Sequence, residues 1–150
     1  MSRFRFSLEP VLRYRRHLEQ QAQLELALAE HVVLEIKETI NALKTSRELT
    51  VDELRNEEQY GTSGRVCQAY QKYFDRIAQE IEFNRRQLQE AVIRCNHKRD
   101  AVAETSKRKK VMERLNENAM ARYQQEENLL EQKSNDELTV LRRRLIADIG

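Results

Sequence analysis

The chain has 150 residues, 35% of them charged and 39% hydrophobic, with 27 Lys+Arg against 25 Asp+Glu. A net charge of +2 is too mild to imply nucleic acid by itself, and a mean hydropathy of −0.83 leaves too little apolar material for an ordinary globular core. No apolar run approaches the roughly 18 residues that a membrane-spanning helix needs.

Punctuation is sparse. Three glycines (Gly61, Gly64, Gly150), one proline (Pro10) and no tryptophan leave residues 11–60 and 65–149 without a strong helix breaker. Composition of this kind suits long helices or disorder, and hydrophobic periodicity decides between them. The opening MSRFRFSLEP is basic but lacks the apolar core of a secretory signal, so a cytoplasmic location is expected. Phe4 and Phe6 read as a staple onto the first helical turn, Ser7 as the N-cap, and Pro10 falls where its missing N–H costs nothing.

From there one heptad register holds. It runs Leu8, Leu12, Arg15, Glu19, Ala22, Leu26, Ala29, Val33, Ile36, Ile40, Leu43, Arg47, Thr50 and Leu54, with ten of fourteen positions apolar in a chain that is 39% hydrophobic. The segment YGTSG then supplies glycines and hydroxyl residues, so the first helix ends near Tyr60. A second register follows through Cys67, Tyr70, Phe74, Ile77, Ile81, Asn84, Leu88, Ala91, Cys95, Lys98 and Val102. It becomes poorer at Thr105, Lys109, Met112, Asn116, Ala119 and Tyr123. A looser stripe of Leu129, Leu130, Leu138, Leu141 and Leu145 carries on toward the end.

The expected fold is all-α. Helix 1 covers about 8–59, a turn about 60–65 and helix 2 about 66–148, forming a single antiparallel coiled-coil hairpin over 1–150 whose second helix extends past the first. With so short a turn, residue i faces roughly residue 125 − i, which leaves some 30 residues of helix 2 unpaired. A strict heptad implies left-handed supercoiling, hence a thin rod with a paired length on the order of 80 Å. A lone helix with an apolar stripe is poorly stabilised, so that extension calls for a partner or self-association.

A two-helix rod encloses no pocket where titratable groups converge, so an enzyme is not expected, nor a cofactor. The chain has no GxxxxGK[ST], HExxH, GxSxG or CxxC. Cys67 and Cys95 lie roughly 42 Å apart along one helix, beyond disulfide reach, and read as small buried hydrophobes. His97 falls near His31 across the hairpin, but without a carboxylate or thiol the pair makes a poor metal site.

The basic run Lys107, Arg108, Lys109, Lys110 advances about 100° per residue and forms a collar, not a stripe. Glu104 and Glu113 neutralise part of it at i,i+4 spacing. Its readings are a solvated surface, a contact to an acidic protein, or nucleic acid or anionic lipid. No aromatic residues interleave with it as single-strand binding would require. Arg3, Arg5, Arg13, Arg15 and Arg16 make the same end basic, whereas Glu48, Asp52, Glu53, Glu57 and Glu58 make the turn end acidic. Near the turn, Tyr70 and Phe74 read as seam residues. Tyr73, off the seam, is the candidate for an exposed contact.

Three segments resemble the FliJ family, the small coiled-coil proteins of flagellar type III export. FRFSLEPVLRYRRHLEQQAQLELALAE (4–30) is similar to the family's Phe-x-Phe opening, YQKYFDRIAQEIEFNRRQL (70–88) to the segment after its turn, and KRKKVMERLNENAMARYQQEENLLEQKSNDE (107–137) to its C-terminal pattern. The resemblance implies a non-catalytic, central-stalk-like adaptor. Its partners would be the hexameric flagellar export ATPase, whose ring assembly it promotes, the membrane export gate protein and the export chaperones, with no nucleic acid. It would sit in the cytoplasm, peripheral to the inner membrane at the flagellar base. On that analogy the ATPase-ring contacts are Leu8, Leu12, Arg13, Arg16, Leu130, Leu138, Leu141 and Leu145, and the export-gate contacts are Tyr70, Tyr73 and Ile77. A generic coiled-coil scaffold, a virulence-type secretion stalk protein, and a nucleic-acid or membrane-surface binder remain as alternatives.

Overall fold

A computed structural model describes residues 3–149. The fold is all-α: α1 spans Glu9–Tyr60 and α2 spans Gly64–Ile149, joined by a turn at Gly61–Ser63 into a helical hairpin, with no strand among the described residues.

The helix ends follow from a few backbone hydrogen bonds. At the start of α1 the Leu12 N–H donates to the Leu8 carbonyl (2.9 Å), while the Glu9 N–H donates to Phe6 (3.1 Å). That Phe6–Glu9 turn places Ser7 outside the helix, so Leu8 takes the N-cap position. Pro10 stays in the first turn, and Glu9 faces the positive end of the helix dipole.

The connection is shorter than the 60–65 turn read from the sequence. Gly61 adopts φ +83°, a left-handed conformation that ends α1, and its N–H donates to the Glu58 carbonyl (3.4 Å). Ser63 then caps α2. Its carbonyl accepts the Cys67 N–H (3.2 Å) and its Oγ accepts the Val66 N–H (3.4 Å). Gly64, expected in the turn, is instead the first residue of α2, because the serine cap satisfies the free N–H groups that would otherwise fray it.

The chain divides into two compact units. The first, Gln20 to Glu104, contains the turn, and within it α1 and α2 pack antiparallel along their two registers. Ala22 and Ile40 of α1 and Ile77, Ile81, Ala91 and Cys95 of α2 are buried there. Leu26, Ala29, Val33, Ile36, Leu43 and Leu54 are half-buried around them. Ion pairs flank this core, Lys98 Nζ to Glu25 Oε2 at 2.9 Å and Arg99 to Glu30 at 3.7 Å. Two seam positions depart from the pattern. Arg47 is exposed, with Lys44 and Val51 taking up half-buried places beside the seam. Cys67 is also exposed, so only Cys95 behaves as a buried thiol. The last α1 residues, Arg55 to Tyr60, are all exposed and offer Cys67 no cover.

The second unit comprises the residues through Glu19 and those from Thr105 on. Leu12, only 1% exposed, is the largest fully buried side chain. Phe4 does not staple onto α1. Residues 3–6 are non-helical and lie along α2, with the Phe4 ring 5.4 Å from that of Tyr123 and a recess lined by Phe4, Phe6, Asn116 and Met120 beside it. This segment covers α2 further than the 125 − i pairing implies. Burial continues through Thr105, Lys109, Met112, Asn116, Ala119, Tyr123 and Glu127, and every described residue from 128 to 149 is exposed.

Three substitutions test this account. Gly61→Ala meets no atom within 4 Å, so its whole cost is the left-handed backbone; thermal unfolding should show a loss of about 1–2 kcal/mol, whereas Gly64→Ala, also in open space, should not destabilise. Leu12→Ala should cost about 2–5 kcal/mol by cavity formation, and the loss should register as earlier melting in a calorimetric scan.

Candidate partner-binding surfaces

Among the described residues no group of three His, Cys, Asp or Glu side chains could hold a metal ion, and no helix is long and apolar enough to cross a membrane. The structure places each of the features that the sequence singled out.

The basic run is partly internal. Lys109 occupies the α2 seam, its Nζ 2.9 Å from Glu19 Oε1 and 3.9 Å from Glu113 Oε1. The Glu19 and Lys109 side chains are only 12% and 21% exposed. Arg108 has an interaction of its own. Lys107 and Lys110 are the cations of the run left in open solvent, so the collar read from the sequence is narrower than its four charges suggest. The Lys109 hydrogen bond holds Glu19 below the usual carboxylate range. Burial pushes the other way, and the Ser106 hydroxyl and Lys110 add smaller depressions. Glu19 Oε2 and Asn116 Oδ1 are buried without a hydrogen bond among the described residues. The sequence signal for this polar layer was available, since both Glu19 and Lys109 stand on seam positions. It is easily read as two defects in two helices instead of one pair between them.

At this end the predicted contact residues separate into two groups. Leu8 (40% exposed), Arg13 and Arg16 are on the surface of α1, and Leu130, Leu138, Leu141 and Leu145 are 54–64% exposed along α2. Leu12 is not available to a partner, because its side chain is spent on packing within the unit. Val140, Ile146 and Ile149, absent from the predicted set, widen the exposed apolar surface of 128–149.

In the unit that holds the turn, Tyr70 and Tyr73 are half-buried, and Ile77, 5% exposed, is core. Tyr70, Tyr73 and Phe74 form one aromatic group, with Tyr70 stacked on Phe74 at 6.4 Å and Tyr73 edge-on to it at 5.7 Å. The Arg76 guanidinium lies 5.6 Å from the centre of the Tyr73 ring. Tyr70 is shifted upward, first by desolvation and then by the negative charges of Glu57 and Glu53 at the acidic end of α1. Of the three predicted residues only the two tyrosines retain surface.

Sequence reasoning missed a groove in the same unit. Leu28, Ala29 and Val32 of α1 and Ala91 of α2 form its apolar floor, rimmed by Arg94 and the Glu25–Lys98 pair, with a volume of about 450 Å³. Leu24, Leu28 and Val32 recur every four residues off the seam and are 62%, 60% and 41% exposed. That i, i+4 spacing was the available clue. Phe83 (61% exposed) and Leu49 (60%) are further large apolar side chains facing water.

A family model described as "Flagellar FliJ protein" matches residues 4–144. No curated protein matches the sequence. Among solved structures the chain is similar to that of a putative YscO homolog, CT670, from Chlamydia trachomatis, with a TM-score of 0.64 over 99% of this chain and 100% of that one. At 17% identity this likeness is one of fold.

The Glu19–Lys109 pair yields a signed pH dependence. Glu19 is depressed in the folded chain relative to its ordinary value of 4.5, so its contribution is present above that pH and is lost as pH falls through the folded value. Glu19→Gln should lower stability at neutral pH by about 1–2 kcal/mol. It should also flatten the acid limb of the melting temperature below pH 4.5, measured by circular dichroism.

Proposed function

Since the chain belongs to the FliJ family of flagellar export coiled-coil proteins, we propose that it acts as a central-stalk-like adaptor of type III protein export, without chemistry of its own. In this reading the end holding Leu8, Arg13, Arg16 and the α2 stripe engages the hexameric export ATPase and promotes its ring assembly. The turn-proximal unit, with Tyr70 and Tyr73, faces the membrane export gate, and export chaperones dock on the same protein. Its place of action is the cytoplasmic face of the inner membrane at the flagellar base.

One observation carries the proposal. Leu130, Leu138, Leu141 and Leu145 lie in a stretch, 128–149, where no described residue is covered by the rest of the chain. Helices draw most of their stability from packing of an apolar face, so an ordered helix with a bare leucine stripe is built for an external partner. The basic run supports a protein partner over nucleic acid, because Lys109 is committed to Glu19.

The test is ATP hydrolysis by the cognate export ATPase with and without the full chain, at one chain per ATPase hexamer, with oligomer size followed in parallel. Stimulation and hexamer formation are expected. A variant with Leu130, Leu138, Leu141 and Leu145 all changed to Ser should keep its helical signal and lose both effects. A wild-type chain that alters neither rate nor assembly would reduce the protein to a coiled-coil scaffold.

A further inference from the structure

Beyond Tyr123 the period of the α2 seam changes. A continued heptad would fall on Glu126, Leu130, Lys133, Glu137, Val140 and Arg144, four of them charged. Half-buried Ala119, Tyr123 and Glu127 are instead followed at eleven-residue intervals by Leu130, Ser134 and Leu138, and then by Leu141, Leu145 and Ile149. An eleven-residue repeat matches about 3.67 residues per turn, close to a straight helix, so the stripe continues down one face without drifting. The face that packs inside this unit up to Glu127 is thus the face left bare beyond it.

We infer that residues 130–149 form an antiparallel, two-fold interface with the same residues of a second copy of this chain. In that pairing Leu138 of one copy packs on Leu141 of the other, twice over, and Leu145 covers Ser134. The flanks fix this register. Glu137 of each copy faces Arg144 of the other on one side, and Asn135 faces Arg142 on the opposite side. Such g-to-g and e-to-e contacts set orientation in coiled coils. Glu137 and Arg144 are exposed and have no ion-pair partner within the chain among the described residues. Together with Lys133, Asp136, Val140 and Leu141 they line a recess of about 480 Å³ along one flank of the stripe.

Direction follows from the occupied part of the seam. Phe4 already lies on Tyr123, and burial runs to Glu127. A parallel partner would have to pass its own covered segment beside this one on the same face. An antiparallel partner carries its covered segment away past Ile149. A two-fold interface also makes each complementary contact count twice. The pairing hides Leu138, Leu141 and Leu145, so self-association and use of the stripe by the export ATPase exclude one another. It is nonetheless independent of that reading, because it needs no other protein.

The test is the solution mass of the full chain by light scattering at low salt, raised through the micromolar range. The mass should climb from 17.9 kDa toward twofold. E137R and R144E each place like charges together and should hold the mass at one chain, with unchanged helicity by circular dichroism. An equimolar mixture of the two variants restores opposite charges at both contacts and should recover the dimer. A wild-type chain that stays at one chain mass throughout leaves the stripe to a different protein and overturns the proposal. So does R144E associating as well as the wild type, since Arg144 faces no charge in a parallel pair, and so does a mixture that fails to recover.

Discussion

Every buried side chain among the described residues lies on one narrow seam of a helix facing one narrow seam of another. Neither unit has a second layer to take up an apolar residue that misses the seam, so register carries the whole burden of specificity. The buried set is accordingly short and made of small or slender residues: Leu12, Ala22, Ile40, Ile77, Ile81, Ala91 and Cys95. Helices of 52 and 86 residues are held by that line of contacts and by the ion pairs beside it. The grooves that such a fold does offer are shallow and lie along its flanks, as the one floored by Leu28, Ala29, Val32 and Ala91 does.

The two units use the seam differently. From Gln20 to Glu104 the positions are mainly aliphatic or aromatic, and their packing defines the register with the Lys98–Glu25 and Arg99–Glu30 pairs beside it. In the other unit Glu19 and Lys109 meet across it, Asn116 takes a further seam position, and Glu19 Oε2 and Asn116 Oδ1 are left without hydrogen bonds among the described residues. A half-buried ion pair adds little net stability, because desolvation opposes attraction. Its value lies in exclusion. Sliding the helices by one heptad would set Lys109 against Leu12 or Leu26 and strand a charge without its partner. The pair therefore fixes the register of that unit, in which Leu12 supplies the buried apolar side chain.

Exposed apolar surface is where a thin fold advertises its contacts. The stripe of 128–149, the Leu28–Val32 groove and isolated Phe83 and Leu49 each leave large side chains in water. Scattered apolar residues need no explanation, but a stripe that keeps its face over two eleven-residue repeats does. Membership in the FliJ family supplies a context of protein export in which such a stripe has a use. The twofold inverse symmetry of its charges supplies a separate physical reason for chains to find each other.

Much of the fold was legible in the sequence because the heptad is a local code. The 4,3 spacing from Leu8 to Leu54 and from Cys67 to Val102 announced two helices, and YGTSG announced the turn between them. The bare leucines at the end of α2 were legible for the same reason. Other features depended on what lies across the seam, which spacing within one helix cannot state. Whether Phe4 stapled its own helix or reached Tyr123, whether Cys67 found cover, and whether Lys109 pointed to solvent or to Glu19 were settled by the facing chain. The sequence by itself determined the helices and their apolar faces, since periodicity acts within about four residues. Only the tertiary structure decided which cations are free, where cover ends and which leucines face water, because burial is a property of facing segments far apart in sequence, 73 residues for Glu25 and Lys98 and 90 for Glu19 and Lys109.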